Sequence, residues 1–319
     1  MTSAIVVGAG VIGCAVAREL AGRDVACTVV DPRPVGGGAT QASAGMLAPY
    51  VEAHERGPLL DLGVRSLALY DEWIAAVREE SGVDVEYRRI GTLETATNRS
   101  IAEHGYVAAD LLCTALSRAA ERRGARFIRD RATRITRDGN TLRVAATETT
   151  LESSDVVIAA GAWANAIEGV RTPPVRPVRG QLLVLEWKGT PLSTIVWGPR
   201  CYVVPRLDGT VLVGATVEEA GFDERLTASG VRQLLDAVCD LLPDARDATF
   251  AGARVGLRPA TPDELPVIGP DPDVAGVIHA AGHYRNGVLL APITARLIAD
   301  LIVDGRLDAS LTDFRVDRF

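Results

Sequence analysis

Ile5-Val6-Val7-Gly8-Ala9-Gly10-Val11-Ile12-Gly13 runs through Val25-Ala26-Cys27-Thr28-Val29-Val30 into Asp31, and this stretch decides the fold. Residues 4–7 are a short β-branched run bounded by glycine, the pattern of a buried strand. Val11 to Leu20 carries apolar residues at helical spacing, and Gly22 marks its end. Val25 to Val30 is a second apolar strand. Strand, glycine turn, helix and strand make a βαβ unit of about 30 residues. In this context Gly8-Ala9-Gly10-Val11-Ile12-Gly13 is a G-x-G-x-x-G dinucleotide fingerprint. The first glycine permits the tight turn, the second admits a pyrophosphate to the backbone, and the third lets helix and strand pack closely. The helix N-terminus offers free N–H groups to the anion, and Asp31 is placed to accept from an adenosine ribose. The plain alternative is a tight βα turn with no ligand. The fingerprint fits NAD and FAD alike. A carboxylate at Asp31 argues against the 2′-phosphate of NADP.

Outward from this unit, a loop rich in Gly, Ala, Ser and Thr covers Asp31 to Ala48. Leu59 to Glu80 reads as an amphipathic helix, Val85 to Ala96 as strand, and Val107 to Gly124 as helix. Short strands follow at 126–131, 134–136 and 142–145, with Asp138-Gly139-Asn140 closing a hairpin. Val156 to Ala160 is a buried strand. From Pro173 the pattern changes. Gln181 to Glu186, Cys201 to Pro205 and Thr210 to Ala215 read as neighbouring antiparallel strands with no helix between them, and Val231 to Leu242 reads as a helix. Val277 to Ala281 and Val288 to Val303 form a strand and helix joined by a glycine turn. Parallel-type units thus stand at both ends with an antiparallel sheet between them.

The chain has 319 residues, with 34 Lys and Arg against 41 Asp and Glu, a formal charge of −7. Hydrophobic residues at 47% and charged residues at 24% exclude global disorder. The acidic balance argues against a sequence-independent nucleic-acid binder, which would need a basic face, and against docking on anionic membrane. Cys14, Cys27, Cys113, Cys201 and Cys239 form no Cys-x-x-Cys pair and read as small core residues rather than a disulfide or zinc framework. His54, His104, His279 and His283 have no metal-ligand spacing. No secretory signal is visible, and the most apolar segment, Val288 to Val303, is too short for a span and carries Arg296 and Asp300. A cytoplasmic protein without stable membrane association is expected.

Two further features bear on chemistry. Ala281-Gly282-His283-Tyr284-Arg285-Asn286-Gly287-Val288 is a second strand-to-helix glycine turn. An NAD enzyme has no evident need of it. A flavin enzyme does, because a helix N-terminus beside the ring stabilises the charge that reduction places near N1 and O2. Arg258, in the loop Gly256-Leu257-Arg258-Pro259, and Arg285 are candidates for two-pronged carboxylate recognition. Tyr202 adds a hydroxyl. The competing readings make Arg258 a surface ion-pair partner of Asp263 or Glu264, and Arg285 a flavin contact only.

These blocks together resemble a known family. The sequence is similar to the glycine oxidases of the D-amino-acid oxidase superfamily, flavoenzymes that serve thiamine biosynthesis in many bacteria. The resemblance spans nearly the whole chain. It is carried by residues 5–13, Ala44-Gly45-Met46-Leu47-Ala48, Gly161-Ala162-Trp163, Cys201-Tyr202-Val203-Val204-Pro205-Arg206, Val213-Gly214-Ala215-Thr216, Gly256-Leu257-Arg258-Pro259 and residues 282–292. The last block is the most specific. The resemblance implies FAD, with Gly8, Gly10, Val11, Ile12, Gly13 and Asp31 at its ADP part. Thr40, Gln41, Ser43, Gly45 and Met46 would line the flavin, and the backbone of Ala132 would meet the adenine side. Gly161 is implied as a further cofactor contact, and Arg285, Asn286, Gly287, Val288 and Leu289 would contact the flavin ring or border it. Arg258 is implied as the carboxylate clamp, with Tyr202 and Arg285 lining the substrate pocket. No catalytic residue and no metal is assigned. Two departures bear on substrate choice. Between Ala96 and Tyr106 the chain is a few dozen residues shorter than is usual in the family, and Val217 stands where the family can carry a bulkier side chain.

The expected architecture is α/β (α+β overall). A Rossmann-like FAD-binding domain of residues 1–50, 105–170 and 255–319 is joined by a discontinuous second domain of residues 51–104 and 171–254, built on an antiparallel sheet and binding substrate. The expected reaction is oxidative deamination of glycine or a small amino acid. Hydride leaves Cα for FAD N5, an imino acid forms, and O2 is reduced to H2O2. Alternatives are a broader D-amino-acid oxidase or dehydrogenase, a non-catalytic FAD-binding protein, and an NAD-dependent reductase. A homo-oligomer and a functional link to a thiazole synthase complete the expectation.

Overall fold

The computed structural model describes residues 2–53 and 56–319; His54 lies outside them. Six strands form the sheet that the opening βαβ unit begins. Their order is Val267–Pro270, Val277–Ala281, Asp155–Ile158, Ser3–Val7, Ala26–Val30 and Arg126–Ile128, all parallel except the first, which runs antiparallel to its neighbour. Alternate residues point to opposite faces. Ala4, Val6, Cys27, Val29 and Val157 meet the helices on one side. Ile5, Val7, Val30, Val156 and Ile158 meet the three-stranded antiparallel sheet of Ala132–Asp138, Thr141–Ala146 and Thr150–Ser153 on the other.

The helical layer holds Val11–Ala21, Pro58–Ser81, Ala109–Arg122 and Gly287–Asp304. Pro58–Ser81, which the sequence places in the substrate unit, packs here. Its hydroxyls explain how Gly287–Asp304 tolerates Pro292. A proline at that position offers no N–H to the carbonyl four residues earlier. Tyr70 Oη donates to that carbonyl, of Val288, and Ser66 Oγ donates to the carbonyl of Leu289 at 2.6 Å. The N-terminal turn of this helix is thereby held from below.

A second sheet has seven strands in the order Thr249–Ala260, Arg176–Glu186, Thr210–Gly214, Tyr202–Pro205, Ile195–Trp197, Thr92–Glu94 and Arg99–Ile101. Its pairs are antiparallel except Ile195–Trp197 with Thr92–Glu94. The segment expected as one strand from Val85 to Ala96 is divided into Tyr87–Arg89 and Thr92–Glu94, because Gly91 takes a φ of +70° between them. The first half joins a small sheet with Met46–Leu47 and Gly105–Val107. The helix expected from Val107 begins at Ala109, since residues 105–107 are that sheet's central strand. No helix among the described residues is long and apolar enough to cross a membrane.

Candidate active site

One cleft runs along the carboxyl ends of the parallel strands, where Val7-Gly8, Val30-Asp31 and Ala281-Gly282 leave the six-stranded sheet. That edge is the usual ligand edge of such sheets. Gly8 takes a φ of +113°, and a Cβ there would stand 2.3 Å from the carbonyl oxygen of Ala159. A Cβ on Gly13 would stand 1.9 Å from the carbonyl oxygen of Gly8. Helix and turn therefore touch backbone to backbone. Gly10 is different: its nearest neighbour would be Thr40 Oγ1 at 3.6 Å, so this glycine leaves open space in the cleft.

The helix Val11–Ala21 has no side-chain cap at Gly10; Thr40 Oγ1 accepts from the Val11 N–H at 3.1 Å. Asp31 is fixed from two sides. Its Oδ2 accepts from the Ala9 N–H at 2.7 Å, and its Oδ1 from the Arg33 N–H at 2.7 Å. A carboxylate has about four lone-pair sites, so acceptor capacity remains for a ribose. An open glycine, a helix N-terminus and an anchored carboxylate are the donor set and space that the ADP part of FAD needs.

Of the other residues expected to contact the cofactor, Val11, Ile12, Thr40, Ser43, Gly45 and Met46 line the cleft. So do Ala132, Gly161, Gly287 and Val288. Gly13 lies behind the turn. Gln41 points out to solvent, with its Nε2 donating to the Gly37 carbonyl at 3.4 Å. Asn286 is buried and starts the helix, its carbonyl accepting from the Leu290 N–H at 2.8 Å. Leu289 is buried in the helical core, and a Cβ on Gly63 would meet its Cδ2 at 3.5 Å. The periodicity of a helix start explains these positions, since successive residues cannot all face one wall.

The cleft continues to the seven-stranded sheet, where Tyr202, Arg258 and Arg285 meet it. Arg258 lies within the edge strand Thr249–Ala260, paired opposite Val178, and not in the loop its Gly-Leu-Arg-Pro setting suggested. Its guanidinium lies flat over Gly180: a Cβ there would come within 2.3 Å of Nη1. Arg258 Nη1 donates to the Thr216 carbonyl at 3.0 Å, and no carboxylate among the described residues pairs with it. Asp263, one suggested partner, pairs instead with Arg318 at 2.8 Å. Burial lowers the Arg258 pKa from its ordinary value, and the nearby Arg285 lowers it further. Tyr202 lies across Gly214, where a Cβ would come within 2.4 Å of its Oη, and burial pushes the phenol's pKa up. The Tyr284 N–H donates to the Pro259 carbonyl at 2.9 Å, tying the second glycine turn to the strand of Arg258.

Arg285 is paired. Its Nε donates to Glu52 Oε2 at 2.6 Å and its Nη2 to Oε1 at 3.3 Å. Burial works against the charge on Arg285, and the Glu52 carboxylate outweighs it, raising the pKa above the ordinary arginine value. The Trp197 ring, stacked on Tyr202 at 5.7 Å, lies 5.8 Å from this guanidinium. His283 also lines the cleft. Burial pushes its pKa down to about 3, and its Nε2 lies 3.1 Å from Thr294 Oγ1.

Sequence reasoning missed Glu52, Arg33 and Gly180. Glu52 stands 233 positions from its partner, so no local spacing marks it. Gly180 has no turn to make; it is required by what lies on top of it. Trp163, in the Gly161-Ala162-Trp163 block, lines the cleft beside Arg33.

Residues 3–104 and 100–301 match the family described as FAD dependent oxidoreductase. A bifunctional protein ThiO/ThiG of Synechocystis sp. is 33% identical over 99% of this chain and 54% of its own length. The chain thus spans about half the length of the bifunctional relatives it matches. A glycine oxidase of Geobacillus kaustophilus is 32% identical over 98% of this chain and 96% of its own. The crystal structure of glycine oxidase from Geobacillus kaustophilus superposes with a TM-score of 0.94 at 31% identity, covering 100% of both chains. The chain belongs to the FAD dependent oxidoreductase family.

Proposed function

We propose that the chain oxidatively deaminates glycine or another small amino acid, with O2 as electron acceptor. One observation carries the reading. Arg258 is a cation without a carboxylate partner among the described residues, set beside the Tyr202 hydroxyl in the cleft that begins at the dinucleotide turn. A bidentate guanidinium is the group for a substrate carboxylate. Gly8, Gly10, Asp31, Thr40 and the start of the helix at Gly287 would hold FAD, which would supply a two-electron acceptor that O2 reoxidises with formation of H2O2.

The residues of the chain supply position and electrostatics. Arg258 and Tyr202 hold the carboxylate, so that the Cα–H is aimed at the cofactor side of the cleft. Positioning of this kind supplies about 7–11 kcal/mol in well-oriented intramolecular reactions. The Cα–H bond electrons leave as hydride, the lone pair of the neutral amine forms the C=N bond, and the product is an imino acid. No protein base is assigned. His283 is a weak base at a pKa of about 3 and serves the turn through Thr294. In this reading the six-stranded sheet carries the cofactor unit and the seven-stranded sheet the substrate unit.

The bifunctional ThiO/ThiG relatives support a functional link to a thiazole synthase. Action in the cytoplasm, supported by five cysteines left as thiols, and a homo-oligomeric state belong to the same proposal. The test is anaerobic mixing of the yellow holoprotein with glycine, sarcosine, D-alanine and D-proline while the flavin absorbance is followed. Bleaching by at least one of them, with H2O2 on readmission of air, is expected. A flavin that stays oxidised with every amino acid overturns the proposal.

A further inference from the structure

The substrate end of the cleft holds two guanidinium groups and one carboxylate: Arg258, Arg285 and Glu52. They are not equivalent. Glu52 takes Arg285 in a two-pronged pair, and the Trp197 ring covers that guanidinium. Arg258 donates to the neutral carbonyl of Thr216. One positive charge is therefore in excess, and it belongs to Arg258.

Glu52 is held in place. It ends the short helix Pro49–Glu52, and the Ala53 N–H donates to the Pro49 carbonyl at 3.1 Å. Tyr50 stacks on His104 at 5.6 Å, its N–H donates to His104 Nε2 at 3.4 Å, and its carbonyl accepts from Arg99 Nη2 at 3.1 Å. The Glu52 side chain is 11% exposed, and loss of its carboxylate would leave Arg285 without its partner.

We infer that Glu52 is a specificity-determining residue: by neutralising Arg285 it restricts the pocket to ligands that carry a single carboxylate. The inference rests on the proposed amino-acid site and deepens it. A monoanion cancels the charge of Arg258. A second anionic group on the ligand would find Arg285 already satisfied and Glu52 facing it as a like charge, an arrangement that interfaces use to reject partners. Without the Glu52 charge, Arg285 becomes a second carboxylate receptor in the same cleft. Glutamine keeps the size of the side chain and removes the charge. Aspartate keeps the charge.

The test uses the holoprotein and needs no turnover. Wild type, Glu52→Gln and Glu52→Asp are titrated with propionate and with malonate at about pH 8, where both carboxylates of malonate are ionised. Dissociation constants come from the perturbation of the flavin spectrum. Wild type and Glu52→Asp should prefer propionate. Glu52→Gln should shift the ratio of malonate to propionate affinity toward malonate by about tenfold or more. A preference in Glu52→Gln within about threefold of wild type, or failure of Glu52→Gln to bind malonate, overturns the inference. The two proposals fail separately. A shifted preference in a protein that no amino acid reduces defeats the oxidase reading alone, and glycine turnover with an unshifted preference defeats this one alone.

Discussion

Arg33, which lines the cleft, is held by Glu224 through a two-pronged ion pair, Nη1 to Oε1 at 2.8 Å and Nη2 to Oε2 at 2.7 Å. Arg33 stands two residues beyond Asp31. Glu224 belongs to the segment between the strand Thr210–Gly214 and the helix Ala228–Leu241. The Arg33 guanidinium also lies 4.1 Å from the Trp163 ring centroid, and Phe222 packs on Trp163 at 5.6 Å. This is a clasp beside the Asp31 end of the cleft. Its partners are 32% and 30% exposed, so the ion pair alone is worth at most about 1 kcal/mol, and the cation–π contact adds about 0.5–1 kcal/mol.

Removing the clasp should speed loss of the cofactor. Arg33→Ala removes both contacts and is expected to raise the FAD dissociation rate about fivefold to tenfold; Glu224→Gln, which keeps the ring contact, should give a smaller rise. Flavin fluorescence recovered on dilution measures both. Unchanged rates in both variants would show that the clasp does not guard the cofactor.

Asp31 should prove a residue of the turn as well as of the ligand. Its two oxygens already satisfy the N–H groups of Ala9 and Arg33. Asp31→Ala leaves these donors without their partner, at about 1–3 kcal/mol for each that stays buried. The expected result is a lower melting temperature of the apoprotein together with weaker FAD binding. If the apoprotein melts as wild type and only FAD affinity falls, the carboxylate serves the ribose alone. Full FAD occupancy after dilution would remove it from the cofactor site.

Two buried histidines set a pH dependence of stability. Burial lowers the pKa of His283 to about 3 and that of His104 to about 4, against an ordinary value of 6.5. As pH falls through 6.5 the unfolded chain takes up protons that the native state refuses until about pH 4 and about pH 3. Below 6.5 the unfolded state binds more protons, so each histidine lowers stability on acidification. The slope is about 1.4 kcal/mol per pH unit for each histidine. Melting temperatures should fall from pH 7 to pH 4.5, and His283→Asn should flatten the fall. Equal slopes for variant and wild type would contradict this. In catalysis the same residue should be silent. kcat/KM should rise on the alkaline side of neutral as the substrate amine loses its proton, and should do so in His283→Asn as well. A profile flat from about pH 6 to about pH 10 would point to a step that ignores amine protonation.

The βαβ unit was legible because each of its signals is local: a β-branched run, glycines at fixed offsets, a helical period, an acid at the second strand's end. The hairpin at Gly139 was legible for the same reason. The strand Thr249–Ala260 was not. Its residues Gly252, Gly256 and Pro259 are strand-poor, and no apolar alternation runs through Gly252-Ala253-Arg254-Val255-Gly256. It is stable as an edge strand, where a proline is tolerated, because Arg176–Glu186 pairs with it along nearly its whole length. Arg258 was therefore identified by its motif and misplaced in a loop. Glu52 was illegible altogether, since its meaning lies in a contact with a residue near the other end of the chain.

The seat of Arg258 gives the last prediction. Val178 pairs opposite Arg258 and Gly180 opposite Gly256, so the guanidinium reaches back over the Cα of Gly180. A methyl group there would stand 2.3 Å from Nη1 and 2.4 Å from Cζ. What it strikes is the far end of a flexible side chain, so the backbone need not move. Gly180→Ala should fold, bind FAD and melt close to wild type, yet displace the guanidinium from the Thr216 carbonyl. A misplaced carboxylate anchor costs both binding and aim. Arg258→Ala should lose about 3–5 kcal/mol in kcat/KM, the cost of leaving a buried charge without its partner. Arg258→Lys should recover part of it, since an ammonium lacks the planar fork. Gly180→Ala should lose a large share of the same amount, and in the double variant Gly180→Ala with Arg258→Ala the two losses should not add, because both act through one group. Steady-state kinetics normalised to bound flavin, beside a melting curve, decide the matter. Near-wild-type turnover per flavin in Arg258→Ala would remove the clamp, and fully additive losses would mean that Gly180 acts on the site by some route other than Arg258.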